Sequence, residues 1–259
     1  MNRCLFLLLS FIGRFSCDRP LSWQENEYWK KYCGTMPSHT SKFIGHLVGG
    51  EPIRGDRAPW AVQAGLVGQS CSGTMISQRH VLLASHCIMM SKDKAPDTVK
   101  RSEWSCDGDD LILEQNNDYY YVKDSRDKLL SNRVSKMIFL NLCTHEIDYD
   151  DFMIMELSEN IRPNEFAYPA CISNDLSFQQ NGLTIRVTAY GHNISLQFWQ
   201  KDLNLKLQGD SGGSVIHYSN GRYYVIGVVN VLWPNTFTSG IGSVAAHYDR
   251  ICYHTGRCN

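Results

Sequence analysis

Short apolar runs set the fold this chain can adopt, and helical periodicity is scarce. Trp60 to Val67, Val81 to Ala84, Leu111 to Leu113, Tyr119 to Val122, Val134 to Leu142 and Phe152 to Leu157 are rich in apolar, β-branched and aromatic residues. So are Leu183 to Tyr190, Val215 to Tyr218 and Tyr223 to Leu232. Turn-forming residues bound these runs, the pattern of an all-β chain. Ser219-Asn220-Gly221, between the last two, predicts a hairpin closed by a type I′ turn. Val244 to Ile251 carries a modest helical pattern and predicts a short C-terminal helix. Many short strands with regular turns imply a sandwich or barrel. A length of 259 residues suits one large domain or two packed lobes.

The first residues predict a signal peptide over 1–17. Arg3 is basic, Cys4 to Ile12 is apolar but for one serine, and Gly13, Ser16 and Cys17 are small residues suited to cleavage. That run is too short to span a bilayer, and no later stretch approaches ~20 apolar residues. Ten cysteines in a chain directed to the secretory pathway argue for disulfides. Cleavage after Cys17 would leave an even number of them. Residues 18–46 are polar, with no sustained apolar period, and read as a leader or pro-segment ahead of a domain over 47–259. The formal net charge is −1, which gives no reason to expect nucleic acid or an anionic membrane as a partner. The nine histidines show no ligand spacing, so neither a metal nor a cofactor is expected.

Gly209-Asp210-Ser211-Gly212-Gly213 offers a serine hydroxyl with backbone N–H groups beside it, the local equipment of a nucleophile and an oxyanion hole. Gly/Ser/Asp loops are also common with no chemistry at all. His86 ends the apolar run Val81-Leu82-Leu83-Ala84-Ser85, just before Cys87. Asp151 precedes the run Phe152 to Leu157. Singly, a histidine there is more often structural, and an aspartate before a strand is usually a turn residue.

Together, His-Cys after an apolar strand, Asp before an apolar strand, and Gly-Asp-Ser-Gly-Gly resemble the chymotrypsin-like (trypsin-family) serine proteases. The order His, Asp, Ser separates this pattern from other serine hydrolases. Leu47-Val48-Gly49-Gly50 resembles the start of the active enzyme in that family, and Pro59-Trp60 follows at the family's interval. Cys71-Ser72-Gly73-Thr74-Met75-Ile76 resembles the strand whose cysteine pairs with the one after the histidine, which implies Cys71–Cys87. Cys33-Gly34, and Cys171 within Tyr168-Pro169-Ala170-Cys171-Ile172, resemble the tether that holds the pro-segment to the domain. Cys106–Cys143 and Cys252–Cys258 are then paired by elimination. The likeness covers Leu47 to about Ile251, and the pro-segment and spacing resemble the divergent trypsin-like branch expanded in nematodes.

This resemblance implies two packed six-stranded Greek-key β-barrels, the second shortened, with a short C-terminal helix. It makes His86, Asp151 and Ser211 the catalytic residues and the N–H groups of Gly209 and Ser211 the oxyanion hole. Asp210 would pair with the new α-ammonium of Leu47 after activation. The implied partners are a peptide or protein substrate and an activating protease.

Several positions depart from the family's pattern. His46 precedes Leu47 where trypsin-activated zymogens carry Arg or Lys, while a trypsin-like activator would cut more readily after Lys42. This points to an activator of another specificity, or to none. Leu205 stands where trypsins place the aspartate that receives Arg or Lys, so trypsin-type cleavage is not expected. Asn230-Val231-Leu232 replaces Ser-Trp-Gly beside the pocket, with Leu232 in a glycine's place, while Gly240 matches a pocket-wall glycine. Leu207 and His217 replace cysteines of two family disulfides. About 65 positions separate His86 from Asp151, against about 45 in the family template. About 60 separate Asp151 from Ser211, against about 93. The first lobe therefore carries an insertion and the second a deficit, which falls between Tyr190 and Leu205. Ile194 to Trp199 and Leu203 to Leu207 are candidate replacement strands there, beside the glycosylation sequon at Asn193. Two readings follow: a secreted serine endopeptidase, or a protease-fold protein with a binding or regulatory role.

Overall fold

The computed structural model describes residues 20–35, 57–66, 69–89, 104–114, 120–145, 150–180, 183–190, 211–233 and 238–258. The chain has the two-barrel chymotrypsin-like fold, mostly strand, with one lobe built on each of two sheets. The first lobe holds β1 (Ala61–Leu66), β2 (Gln69–Met75), β3 (His80–Leu83), β4 (Trp104–Asp107), β5 (Asp110–Glu114), β6 (Tyr120–Lys123), β7 (Leu129–Ser131), β8 (Val134–Phe139) and β9 (Met153–Leu157). Their order across the sheet is β4-β5-β8-β9-β3-β2-β1-β6-β7. The second lobe has β10 (Ile185–Thr188), β11 (Ser214–Ser219), β12 (Arg222–Trp233) and β13 (Thr238–Ser243), paired in that order. The described residues hold nine strands in the first lobe, against six in the expected barrel, and four in the second, which was expected to be shortened. Strands β4 to β8 fill the long first-lobe interval, and the candidate replacement strands within 191–210 lie outside the described residues.

Apolar runs without alternation belong to strands buried on both faces. On β9, Met153, Met155 and Leu157 enter the interior of the first lobe, while Ile154, like Phe152 just before the strand, enters a second core between the lobes. Strands β3 and β8 divide likewise, Val81, Leu83, Met137 and Phe139 facing inward and Leu82 and Ile138 facing the interlobe core. Trp60, Ile216, Val225, Val228, Val244 and Ile251 complete that second core from the other side. Its position matters because the ends of β3 and β9 lie against it.

Among the described residues, two α-helices flank the sheets. Helix α2 (Tyr248–Thr255) starts four residues later than the Val244 start read from the sequence, because Val244 to His247 form a turn. Helix α1 (Trp23–Tyr32) falls in the stretch read as a leader or pro-segment, where no helix was expected. It has little apolar content and is held by discrete contacts. Ser22 and Glu25 form a capping box at its start. Trp29 is buried against the body, its ring edge-on to Tyr168. Glu25 pairs with Arg79 of the first lobe at 3.1 Å. Disulfide Cys33–Cys171 closes the attachment, and Arg257 donates to Asn26 Oδ1, the Trp29 carbonyl and Cys33 Sγ. Disulfides Cys71–Cys87, Cys106–Cys143 and Cys252–Cys258 are also present.

Candidate active site

The β3–β9 ladder builds the first half of the site. The two strands are antiparallel, with Leu83 opposite Met153. The exit of β3 and the entry of β9 therefore meet at one end, although their sequence positions are far apart. A 3-10 turn, Ser85–Cys87, follows β3 and carries His86. Disulfide Cys71–Cys87 ties this turn back to β2. Asp151, 9% exposed, stands just before β9 and faces it. Its Oδ1 accepts the His86 backbone N–H at 2.8 Å, and its Oδ2 lies 2.6 Å from His86 Nδ1. A carboxylate only accepts, so Nδ1 carries the proton and Nε2 presents its lone pair.

Ser211 comes from the second lobe to meet that lone pair, its Oγ 2.8 Å from His86 Nε2. Two main-chain bonds pin its turn. The Ser211 carbonyl accepts from Ser72 N on β2 at 2.8 Å, and Gly212 N donates to the Val229 carbonyl on β12 at 2.7 Å. Gly212 has φ +80, and a Cβ there would stand 2.0 Å from the Ser72 carbonyl oxygen. Only glycine lets the turn approach β2 so closely. Ser72 also receives Tyr190 N on its hydroxyl at 2.7 Å, and Thr74 Oγ1 meets Ser214 Oγ at 2.6 Å in a buried contact. Small polar residues on β2 thus stitch the lobes together beside the serine.

The remaining expected residues divide. Gly209, Asp210, Leu47, Leu205 and Asn193 lie outside the described residues. Asn230 lies on β12 at a shift of register between Val229 and Val231. Its Oδ1 is buried without a hydrogen-bond partner among the described residues. A Cβ on Gly242 would stand 2.8 Å from the Phe152 ring and 2.9 Å from Asn230 Nδ2, so glycine makes room there. Leu232 and Gly240 are paired backbone in β12 and β13, opposite Ser239 and Val231. Cys71, His86 and Cys87 place ligand atoms within 4.8 Å of one another, but the two sulfurs are bonded to each other and offer no thiolate.

Sequence reasoning missed Ser72, Asn141, Asp150 and His247, which lie around the triad without a motif of their own. The one signal for Asp150 is the acidic doublet it forms with Asp151 at a strand entry. No helix among the described residues is long and apolar enough to cross a membrane.

The model of the nematode trypsin-6-like family matches residues 3–258. Mannan-binding lectin serine protease 1 of Mus musculus is 25% identical over 210 residues, covering 78% of this chain and 29% of the mouse protein. CLIP domain-containing serine protease B4 of Anopheles gambiae is 22% identical over 232 residues, covering 71% of this chain and 62% of its own length. The proclotting enzyme of Tachypleus tridentatus is 22% identical over 243 residues, with 76% and 61% covered. The chain therefore spans under a third of the mouse relative and rather less than two thirds of the other two.

Proposed function

The chain belongs to the nematode trypsin-6-like family, and from that membership and the His86–Asp151–Ser211 geometry we propose that it is a secreted serine endopeptidase made as a zymogen. The observation that carries this reading is the continuous line of contacts from Asp151 Oδ2 through the imidazole to Ser211 Oγ, at 2.6 and 2.8 Å. His86 Nε2 takes the hydroxyl proton as Ser211 Oγ attacks a peptide carbonyl carbon. Asp151 fixes the imidazole tautomer and stabilises the imidazolium. The N–H groups of Gly209 and Ser211 receive the oxyanion, a donor worth roughly 3 kcal/mol in comparable sites. The imidazolium then protonates the leaving amine, and water attacks the acyl-enzyme with His86 again as base.

Cleavage between His46 and Leu47 frees an α-ammonium for Asp210, and disulfide Cys33–Cys171 keeps residues 18–46 attached afterwards. Leu205 in the pocket turns specificity away from Arg and Lys. Secretion agrees with four disulfides and with the apolar N-terminal run.

Labelling of the processed protein with a fluorophosphonate probe tests the reading. The expected result is stoichiometric modification of Ser211, absent in Ser211→Ala. Protein shown by N-terminal sequencing to begin a chain at Leu47, yet unlabelled, would overturn it.

A further inference from the structure

Among the described residues, both hydrogen bonds to the Asp151 carboxylate come from His86, the residue Asp151 has to orient. Its own position must therefore be imposed through the main chain on either side. The same residue touches both neighbours. His247 Nε2 lies 3.1 Å from Asp150 Oδ1, and its ring lies 4.6 Å from the Phe152 ring, centroid to centroid. His247 and Asp150 side chains are only 13% and 10% exposed, so solvent does not compete freely for the contact.

The second Asp150 oxygen accepts from Asn141 Nδ2. Asn141 follows β8 with φ +60, a left-handed conformation that a residue other than glycine adopts at some cost. Its backbone N–H donates to Asp110 Oδ1 at 2.9 Å. Asp110, on β5, also pairs with Arg250 and, at 2.8 Å, with His254 Nε2, both on α2. Arg250 reaches Asp109 as well, at 3.2 Å. The circuit runs from Asp151's neighbours to the β4–β5 hairpin and back through the C-terminal helix.

A purely structural clasp for α2 would be complete with Asp110, Arg250 and His254. The His247 side chain contributes nothing to the helix start: the residue stands at the N-cap, where Ser, Thr, Asp or Asn is favoured, and only its carbonyl takes part, accepting from Ile251 N at 2.9 Å. A local preference is given up at a position whose side chain instead grips both neighbours of one aspartate.

We propose that His247 and Asp150 are positioning residues for Asp151, extended through Asn141 to Asp110, so that the C-terminal helix and the β4–β5 hairpin hold the triad carboxylate in its orientation. This rests on the reading of His86, Asp151 and Ser211 as a catalytic triad. Productive geometry tolerates roughly 0.5 Å of displacement, and about 1 Å of misplacement can cost on the order of 100-fold in rate.

The test uses the full processed protein and two readouts, turnover of a peptide ester and the downfield proton-NMR resonance of the His86 Nδ1–H. His247→Ala is expected to lower kcat roughly 10- to 100-fold with KM within about two-fold, and to broaden or lose the resonance. His247→Gln, which keeps an N–H donor toward Asp150, is expected to restore most of both. Asp150→Asn, similar in size but with one acceptor oxygen where His247 and Asn141 use two, gives a second variant with the same expected direction should His247→Ala not accumulate as folded protein. An unchanged kcat and resonance in the folded variants overturns the proposal, as does an activity loss matched by the unfolded fraction. If the wild-type protein turns nothing over, loss of the resonance in His247→Ala and its return in His247→Gln still support the brace while the catalytic reading falls.

Discussion

Glu25→Gln tests whether helix α1 is held to the first lobe by charge. Glu25 Oε1 accepts from Arg79 Nη1 at 3.1 Å and Gln78 Nε2 at 3.0 Å, while Oε2 accepts from Ser22 N at 2.8 Å. Partial burial alone would raise this carboxyl. Hydrogen bonds from Arg79 and Ser22, with the charge of Arg79, outweigh it and hold the pKa at about 2. A fall from the ordinary ~4.3 to about 2 corresponds to about 3 kcal/mol if fully expressed in stability. The Glu25 side chain is 31% exposed, so solvent screening reduces this to about 1.5–2 kcal/mol. The sign follows from the depressed carboxyl: the contribution is complete above the unfolded value and lost as pH falls through about 2. Thermal unfolding followed by near-ultraviolet circular dichroism should show Glu25→Gln melting roughly 3–8 °C below wild type at pH 6. At pH 2 the difference should have largely closed. An equal deficit at both pH values would refute the electrostatic account, and no deficit at pH 6 would mean that α1 is not held through this pair.

Two further outcomes follow, one from a buried histidine at the far end of β3 and one from the turn that carries Ser211. His80 is wholly buried, its Nε2 has no hydrogen-bond partner among the described residues, and burial, aided by Arg79's charge, lowers its pKa to about 3. Stability from keeping it neutral is complete above the ordinary ~6.5 and declines as pH falls toward about 3, so His80→Gln should melt with a visibly shallower pH slope from 6 to 4. Identical slopes would remove His80 from the acid response. At Gly212, alanine would need φ +80 and would set its Cβ 2.0 Å from the Ser72 carbonyl oxygen. Gly212→Ala should therefore displace Ser211 and slow fluorophosphonate labelling by about 100-fold or more, and a wild-type labelling rate would show that the turn can relax without moving the hydroxyl.

What the sequence revealed depended on how each segment is buried. The Asn220-Gly221 turn was legible because both residues need positive φ, and they have +49 and +78. Strands β3 and β9 were legible because two cores demand apolar residues on both their faces. Strand β2 was not legible by pattern. Its Gly73 leaves a gap where a Cβ would stand 2.7 Å from Val81, and Ser72 and Thr74 serve lobe-to-lobe hydrogen bonds; only its likeness to a known strand marked it. Strands β4 and β7 are short, four and three residues, too brief for a periodicity to register. Helix α1 escaped because Trp29 and Asn26 are its buried residues, a stripe too thin to detect. The Ser22–Glu25 capping pair was its one local signal.

The interval between His86 and Asp151 shows why chain spacing is a poor measure of a site. Strands β4 to β8 fill it, yet the chain returns to the same ladder with Leu83 opposite Met153. Register decides the encounter: a slip of two residues would move Asp151 by about 6.6 Å, out of hydrogen-bond reach of His86. Register fixes less than the chemistry needs, however. Asp151 stands two residues before Met153, where β9 begins, so the ladder brings it to the right end without setting the plane of its carboxylate. That last degree of control has to come from contacts on its flanking residues. Asn141, Asp150 and His247 supply them, and two of these three lie in the long interval between His86 and Asp151.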